Sequence, residues 1–268
     1  MYAKKVKSTE EMRDTFKISA IKISVKKITL VLALTTLFLT LASLAARFFA
    51  FIWGQEGLLA LLTLLNTGEE ASIPTWYSSF LFLLCSVLLA TVAAVEKRYN
   101  KGYIRHWRFL AVIFILLSID EVATIHETGG DALKSLAESA GFAPSGFIYQ
   151  FWVVPAAAFV FLIALAYSRF LANLPARTLI LFLTAGTTFV IGAIGMEMLS
   201  ARLISFYGEA WDYGSAYIPT GIKLTVGIQS SIEEFLEMLG ILIFVYALLS
   251  YLSSSVKQVT VEIGDDNE

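Results

Sequence analysis

The chain of 268 residues is 57% hydrophobic and 16% charged, with a formal net charge of −2 and a mean hydropathy of +0.72. Its apolar residues come in runs of about 20, the length that crosses a hydrocarbon core of about 30 Å, so the composition predicts a multi-pass membrane protein. It offers no basic groove for nucleic acid, and the single Cys85 excludes an intramolecular disulfide and a cysteine-rich metal site.

The first segment, residues 1–27, is basic and amphipathic. Ser8 and Glu11 form a capping-box pattern, and apolar residues recur on one helical face from Met12 to Ile23. This pattern predicts a short amphipathic helix on the cytoplasmic membrane surface, where anionic headgroups would attract it. The alternative is a solvated basic tail with some helicity.

Six apolar runs follow, and each is long enough to span a membrane as a helix. Their predicted bounds are 28–53, 77–95, 108–127, 147–168, 178–205 and 225–252. The third run continues through "SIDEVATIHE" at 118–127 without a turn signal, so it predicts one helix. We therefore expect an all-α membrane protein with a six-helix bundle over 28–252 and an acidic cytoplasmic tail over 253–268.

Lys and Arg residues are distributed unevenly between the predicted loops. The segments 1–27, 96–108 and 169–177 and the tail hold 16 of them, whereas the alternate loops with the adjoining helix end hold 3. By the positive-inside rule this predicts cytoplasmic N- and C-termini. The sequence carries no organelle address, which favours a bacterial cytoplasmic (inner) membrane.

Seven carboxylates lie inside the predicted spans or at their edges: Asp120, Glu121, Glu127, Glu197, Glu233, Glu234 and Glu237. Each costs roughly 2.5–3.5 kcal/mol at the centre of a membrane helix, so such residues normally face the bundle interior and mark function. Counted from the outer ends of their spans, Asp120, Glu197 and Glu233 all lie about 12 Å deep. We predict a site built by the third, fifth and sixth spans; a structural network of protonated acids is the alternative.

Helical spacing sorts the residues around this layer. In one continuous helix, His126 lies about 120° from Asp120 and close to the outer surface, which separates the two side chains. In the fifth span, Gly186 and Ala193 belong to a face of small residues around Glu197 that favours close helix packing. The sixth span carries a polar stripe of Gln229, Ser230, Glu233, Glu237 and Gly240.

The nearby positive residues, Arg47, Arg202 and Lys223, are too few to neutralise the acids, so we expect bound protons or a bound cation. Carboxylate oxygens with one imidazole suit Fe, Mn, Mg or Ca, and Zn also fits. The predicted ligands of a divalent metal ion are Asp120, Glu121, His126, Glu197, Glu233 and Glu237. Glu234 is predicted to act as the catalytic proton carrier.

These residues predict a metal-dependent membrane enzyme that acts on a lipid or another amphiphile. The alternatives are a cation- or proton-coupled transporter or channel, and a non-catalytic subunit of a larger membrane complex. Membrane lipids and a lipid or small-molecule substrate are the expected partners, nucleic acid is not, and a homo-oligomer is compatible with each function. No known family is identified from these residues.

Overall fold

The computed structural model describes residues 24–53, 63–68, 71–99, 102–207 and 219–255. Within these ranges the chain is helical and contains no strand. Its helices are α1 (Val25–Trp53), α2 (Ile73–Arg98), α3 (Ile104–Ala123), α4 (Ile125–Ser139), α5 (Val153–Ala172), α6 (Ala176–Val190), α7 (Glu197–Ile204) and α8 (Thr220–Ser255). A 3-10 turn covers Gly146–Ile148, and a π-helical turn at Ile191–Met196 joins α6 to α7.

Five stretches of helix are long and apolar enough to cross a membrane, and there are six if the bent pair α3 and α4 counts as one. The fifth predicted run corresponds to a single stretch, Ala176–Ile204, that includes α6, the π-helical turn and α7. The all-α class is thus confirmed for the described residues, and so is the presence of helices that are long and apolar enough to span a membrane. Most of the predicted surface helix at 1–27 and of the acidic tail at 253–268 lies outside the described residues, and the orientation of the termini stays a prediction.

The third predicted span is wrong at its end, because the chain bends at Thr124. This residue adopts the left-handed conformation, with φ 47° and ψ 41°, and α4 leaves α3 at an angle of 75°. No Gly or Pro stands at the bend, so the sequence predicted one helix through residue 127. The short α4 exposes Leu133 and Leu136 among polar residues, a pattern typical of a helix that lies along a membrane surface.

The fourth predicted span also begins later than expected. The chain from 147 to 152 forms a 3-10 turn and further turns, and α5 starts at Val153. Pro155 therefore lies in the first turn of α5, where the absence of a backbone N–H breaks no helical hydrogen bond.

The bundle packs around α8, which contacts α1, α2 and α6. Met238, Val245 and Leu248 on α8 are fully buried in the apolar core. Hydroxyl groups add polar contacts between α2 and α3, where the Ser79 and Ser118 hydroxyls lie 2.9 Å apart. Such short side chains are typical of helix contacts inside membranes, because they let the backbones approach.

Glycines set the closest approach between α8 and the α6 region. A Cβ atom at Gly240 would lie 2.7 Å from Phe189 N, and one at Gly192 would lie 3.0 Å from Glu233 O. The sequence predicted that Gly186 and Ala193 would share this contact face, yet Gly186 faces open space. The prediction was wrong because a π-helical turn follows α6 and changes the helical phase between Gly186 and the residues beyond the turn.

Candidate functional site

The bend at Thr124 brings His126 back to Asp120. Asp120 Oδ1 accepts a hydrogen bond from the His126 backbone N–H at 2.8 Å, and Asp120 Oδ2 lies 2.9 Å from His126 Nδ1. The predicted separation of these side chains is therefore wrong, since it assumed a continuous helix. The Asp120 carboxylate both supports the first turn of α4 and fixes the orientation of the imidazole.

Trp152 covers the His126 ring from the start of α5. The two ring centroids are 4.6 Å apart at an interplanar angle of 62°. Gly130 on α4 permits this approach, because a Cβ atom there would lie 2.6 Å from Trp152 Cβ. Trp152 also contacts the Glu197 carboxyl group. No role was predicted for this residue, since a tryptophan at the edge of an apolar run is typical of a membrane-interface anchor.

The Glu197 and Glu233 carboxyl groups lie next to each other. Glu197 begins α7 directly after the π-helical turn, and π-helical turns are frequent at functional sites. The Gln229 side chain donates a hydrogen bond to Met196 O at 3.2 Å, which holds α8 against the end of this turn. Two ionised carboxylates have only acceptors, so these neighbours can form a hydrogen bond only when one of them holds a proton.

Glu121, Glu234 and Glu237 lie within electrostatic range of one another and of Glu197. Glu234 interacts electrostatically with Glu121 and Glu197, and Glu237 interacts with the same two residues and with Asp120. We call the six carboxyl groups the acid cluster: Asp120, Glu121, Glu197, Glu233, Glu234 and Glu237. All six are partly buried, whereas Glu127, at the start of α4, is exposed. The structure thus brings together the acids that the sequence placed on the third, fifth and sixth spans.

Arg47 of α1 reaches the edge of the acid cluster. Its guanidinium lies where Gly68 and Gly227 leave room, since Cβ atoms at these positions would come within 2.7 and 2.6 Å of its terminal nitrogens. Arg47 interacts electrostatically with Glu234. Arg202, in contrast, stacks over the Phe206 ring with its Cζ atom 4.2 Å from the centroid. Carboxyl groups therefore remain more numerous than the cationic side chains that lie beside them.

No group of three or more His, Cys, Asp or Glu side chains is arranged to hold a metal ion in the part of the chain that the structure describes. Four of the predicted ligands form pairs instead: Asp120 with His126, and Glu197 with Glu233. The predicted ligands lie near one another but do not form a coordination shell, so the divalent metal ion stays a prediction.

The fold and the site define an all-helical protein with several helices suited to spanning a membrane and a carboxyl-rich centre inside the bundle. The chain matches the family model described as a domain of unknown function, DUF8692, over residues 29–252, and it belongs to this family. No curated protein matches the chain, and no solved structure does.

Proposed function

We propose that this protein is an integral membrane protein whose acid cluster binds cations and exchanges bound protons for a divalent metal ion. The contact between Glu197 and Glu233 carries the proposal. The two neighbouring groups can share a proton through a hydrogen bond, and their four oxygens are the ligand type that Fe, Mn, Mg, Ca and Zn accept. When the proton leaves, the two carboxylates repel each other, and a metal ion turns this repulsion into shared ligation.

His126 is the nitrogen ligand in this proposal. Asp120 contacts Nδ1 of the imidazole, which leaves Nε2 to bind the metal ion. Metalloproteins commonly orient a ligating histidine in this way, with a carboxylate on the ring nitrogen that does not bind. Asp120 then positions His126, while Glu197 and Glu233 supply oxygens and Glu121 and Glu237 are the further ligands within the acid cluster.

The bound metal ion would serve a reaction on a lipid or another amphiphile. A metal held by carboxylates and one imidazole polarises a substrate oxygen or lowers the pKa of a bound water. Glu234 lies among Glu121, Glu197 and Arg47, which suits it to carry a proton to or from the reacting group. The site lies within the bundle rather than on an exposed loop, so a substrate would enter it from the membrane.

Proton-coupled transport is the second candidate function. The same contact between Glu197 and Glu233 favours it, because neighbouring carboxyl groups inside a membrane are typical of proton relays. In that function the acid cluster would load and release protons without a metal ion.

Metal analysis of the purified full-length protein separates the two candidates. The wild type, Glu197→Gln and Glu233→Gln should be compared with the control Glu96→Gln, which changes a buried acid on α2 outside the acid cluster. We expect stoichiometric metal in the wild type and the control, and its loss in both cluster variants. Metal-free wild-type protein that takes up a solute along a proton gradient in vesicles would support the transporter and contradict the metal site.

A further inference from the structure

An apolar cavity of about 240 Å³ lies deeper in the bundle than the acid cluster. Residues from α2, α3, α5, α6 and α8 form its wall, which includes Phe82, Phe114, Ile163, Phe182, Phe189 and Phe244. An apolar cavity of about 150 Å³ is enough to hold benzene in another protein. This cavity therefore has room for part of a hydrocarbon chain.

The helix α5 lines this cavity between packing contacts at its two ends. At one end of α5, Trp152 packs on the His126 ring, and at the other end Phe170 stacks on His106 with centroids 5.4 Å apart. Between these contacts, Ala164 lines the cavity, and so do Leu183 and Gly186 on α6. These last three residues are exposed, so the cavity opens between α5 and α6 toward the surface that would face lipid.

The cavity ends next to the acid cluster. On α3, Leu117 lines the cavity three residues before Asp120, and on α8, Gly240 lines it three residues after Glu237. Three residues of helix correspond to about 4.5 Å along the axis. A chain that fills the cavity therefore places its polar head within reach of the carboxyl groups.

We propose that the cavity binds the alkyl chain of a single-chain amphiphile whose amine head group reaches the acid cluster. The aromatic and aliphatic wall fits a hydrocarbon chain and offers no polar partner to its interior. The excess of carboxyl groups in the acid cluster determines which head group fits. An ammonium ion complements these groups, whereas a carboxylate or phosphate head group would add to their repulsion. The inference rests on the proposed cation site, because the ammonium ion is the cation it would receive.

Binding of radiolabelled dodecylamine to the full-length protein in nanodiscs tests this inference, with dodecanol as the uncharged probe of the same length. Gly186→Leu fills the cavity from a position where a Cβ atom meets nothing within 4 Å. Gly221→Leu is the matched control, since its Cβ atom also meets open space but Gly221 does not line the cavity.

We expect dodecylamine to bind the wild type and Gly221→Leu equally and Gly186→Leu at least about tenfold more weakly. Dodecylamine should bind more tightly than dodecanol in the wild type, and Glu233→Gln should reduce this preference. Equal binding to the two glycine variants, or no preference for the amine, would overturn the inference. Metal content measured on the same samples keeps the outcomes distinct. If the wild type holds metal but does not bind dodecylamine, the amphiphile proposal alone is wrong. If the wild type holds no metal and does not bind dodecylamine, the cation site is contradicted as well.

Discussion

The acidic residues at the two ends of the helix bundle have different surroundings. Near the end of α2, Glu96 is 3% exposed, and its carboxylate accepts a hydrogen bond from the Tyr251 hydroxyl at 2.8 Å. At the other end, the six carboxyl groups of the acid cluster lie together, and two of them contact each other directly. The chain can therefore match a single buried acid with a donor. The acid cluster differs, because its carboxyl groups lie beside one another. Locally unfavourable arrangements of this kind are typical of functional sites.

Packing differs between the two ends as well. Around Glu96 the core is closed, with Trp107, Phe170 and Leu248 at most 1% exposed. Around the acid cluster, the carboxyl groups are only partly buried, and a π-helical turn and a bent helix replace regular helix. One end thus has the features of a stable core, and the other has the irregular backbone that often accompanies binding or chemistry.

The largest effect is expected at Gly240, which lies between the two ends on α8. Gly240→Ala should lower the free energy of unfolding by about 2 kcal/mol, because a Cβ atom there collides with the backbone of α6 at Phe189 and Ala185. Unfolding in mixed micelles measures this change. Gly186→Ala is the matched control and should not lower the value, since its Cβ atom meets open space and alanine favours helix over glycine. Equal losses would mean that α6 and α8 are not in close contact.

The next effect tests how the closed end stabilises its acid. Tyr251→Phe should lower the free energy of unfolding by about 1.5 kcal/mol, because Glu96 then loses the hydroxyl donor while it stays buried. Tyr246→Phe provides the control, since its hydroxyl accepts a hydrogen bond from the exposed Arg177 at 2.7 Å. That variant should cost less than about 0.5 kcal/mol. A similar cost for both would remove the contrast between the two ends.

A smaller effect of the opposite sign is expected in the acid cluster. In metal-free protein, Glu233→Gln should raise the free energy of unfolding by about 1 kcal/mol, because it removes one member of a crowded acidic group. Glu96→Gln should give no such gain. Carboxyl groups repel only when ionised, so the gain should be larger at alkaline pH than at acidic pH. A loss of stability in Glu233→Gln at every pH would show that the pair with Glu197 is a structural hydrogen bond.

Membrane spans and the acids within them could be predicted from the sequence, because both depend on hydrophobic length and on the cost of charge in lipid. The contacts between these side chains and their partners could not be predicted from the sequence. The contact of Asp120 with His126 depends on the bend at Thr124, and the contact face of α6 depends on the π-helical turn. The bend has no Gly or Pro at Thr124, and Gly192 and Gly195 within the π-helical turn are a common feature of regular membrane helices. Helical angles carried across the two features therefore give the wrong neighbours. The contact of Trp152 with His126 and the apolar cavity both result from tertiary packing, which the sequence does not reveal.

The smallest effect concerns the bend itself. A left-handed conformation costs a non-glycine residue about 1–2 kcal/mol, and glycine in place of another residue loses about 0.5–1 kcal/mol through its greater freedom in the unfolded chain. Thr124→Gly should therefore raise the free energy of unfolding by about 0.5 kcal/mol. Thr128→Gly lies in regular helix only four residues later, so it should lower the value by about 0.3 kcal/mol. If Thr124→Gly instead destabilises the protein, the bend is not a relaxed conformation of this backbone. It would then depend on the threonine side chain, as well as on the Asp120 carboxylate that holds His126.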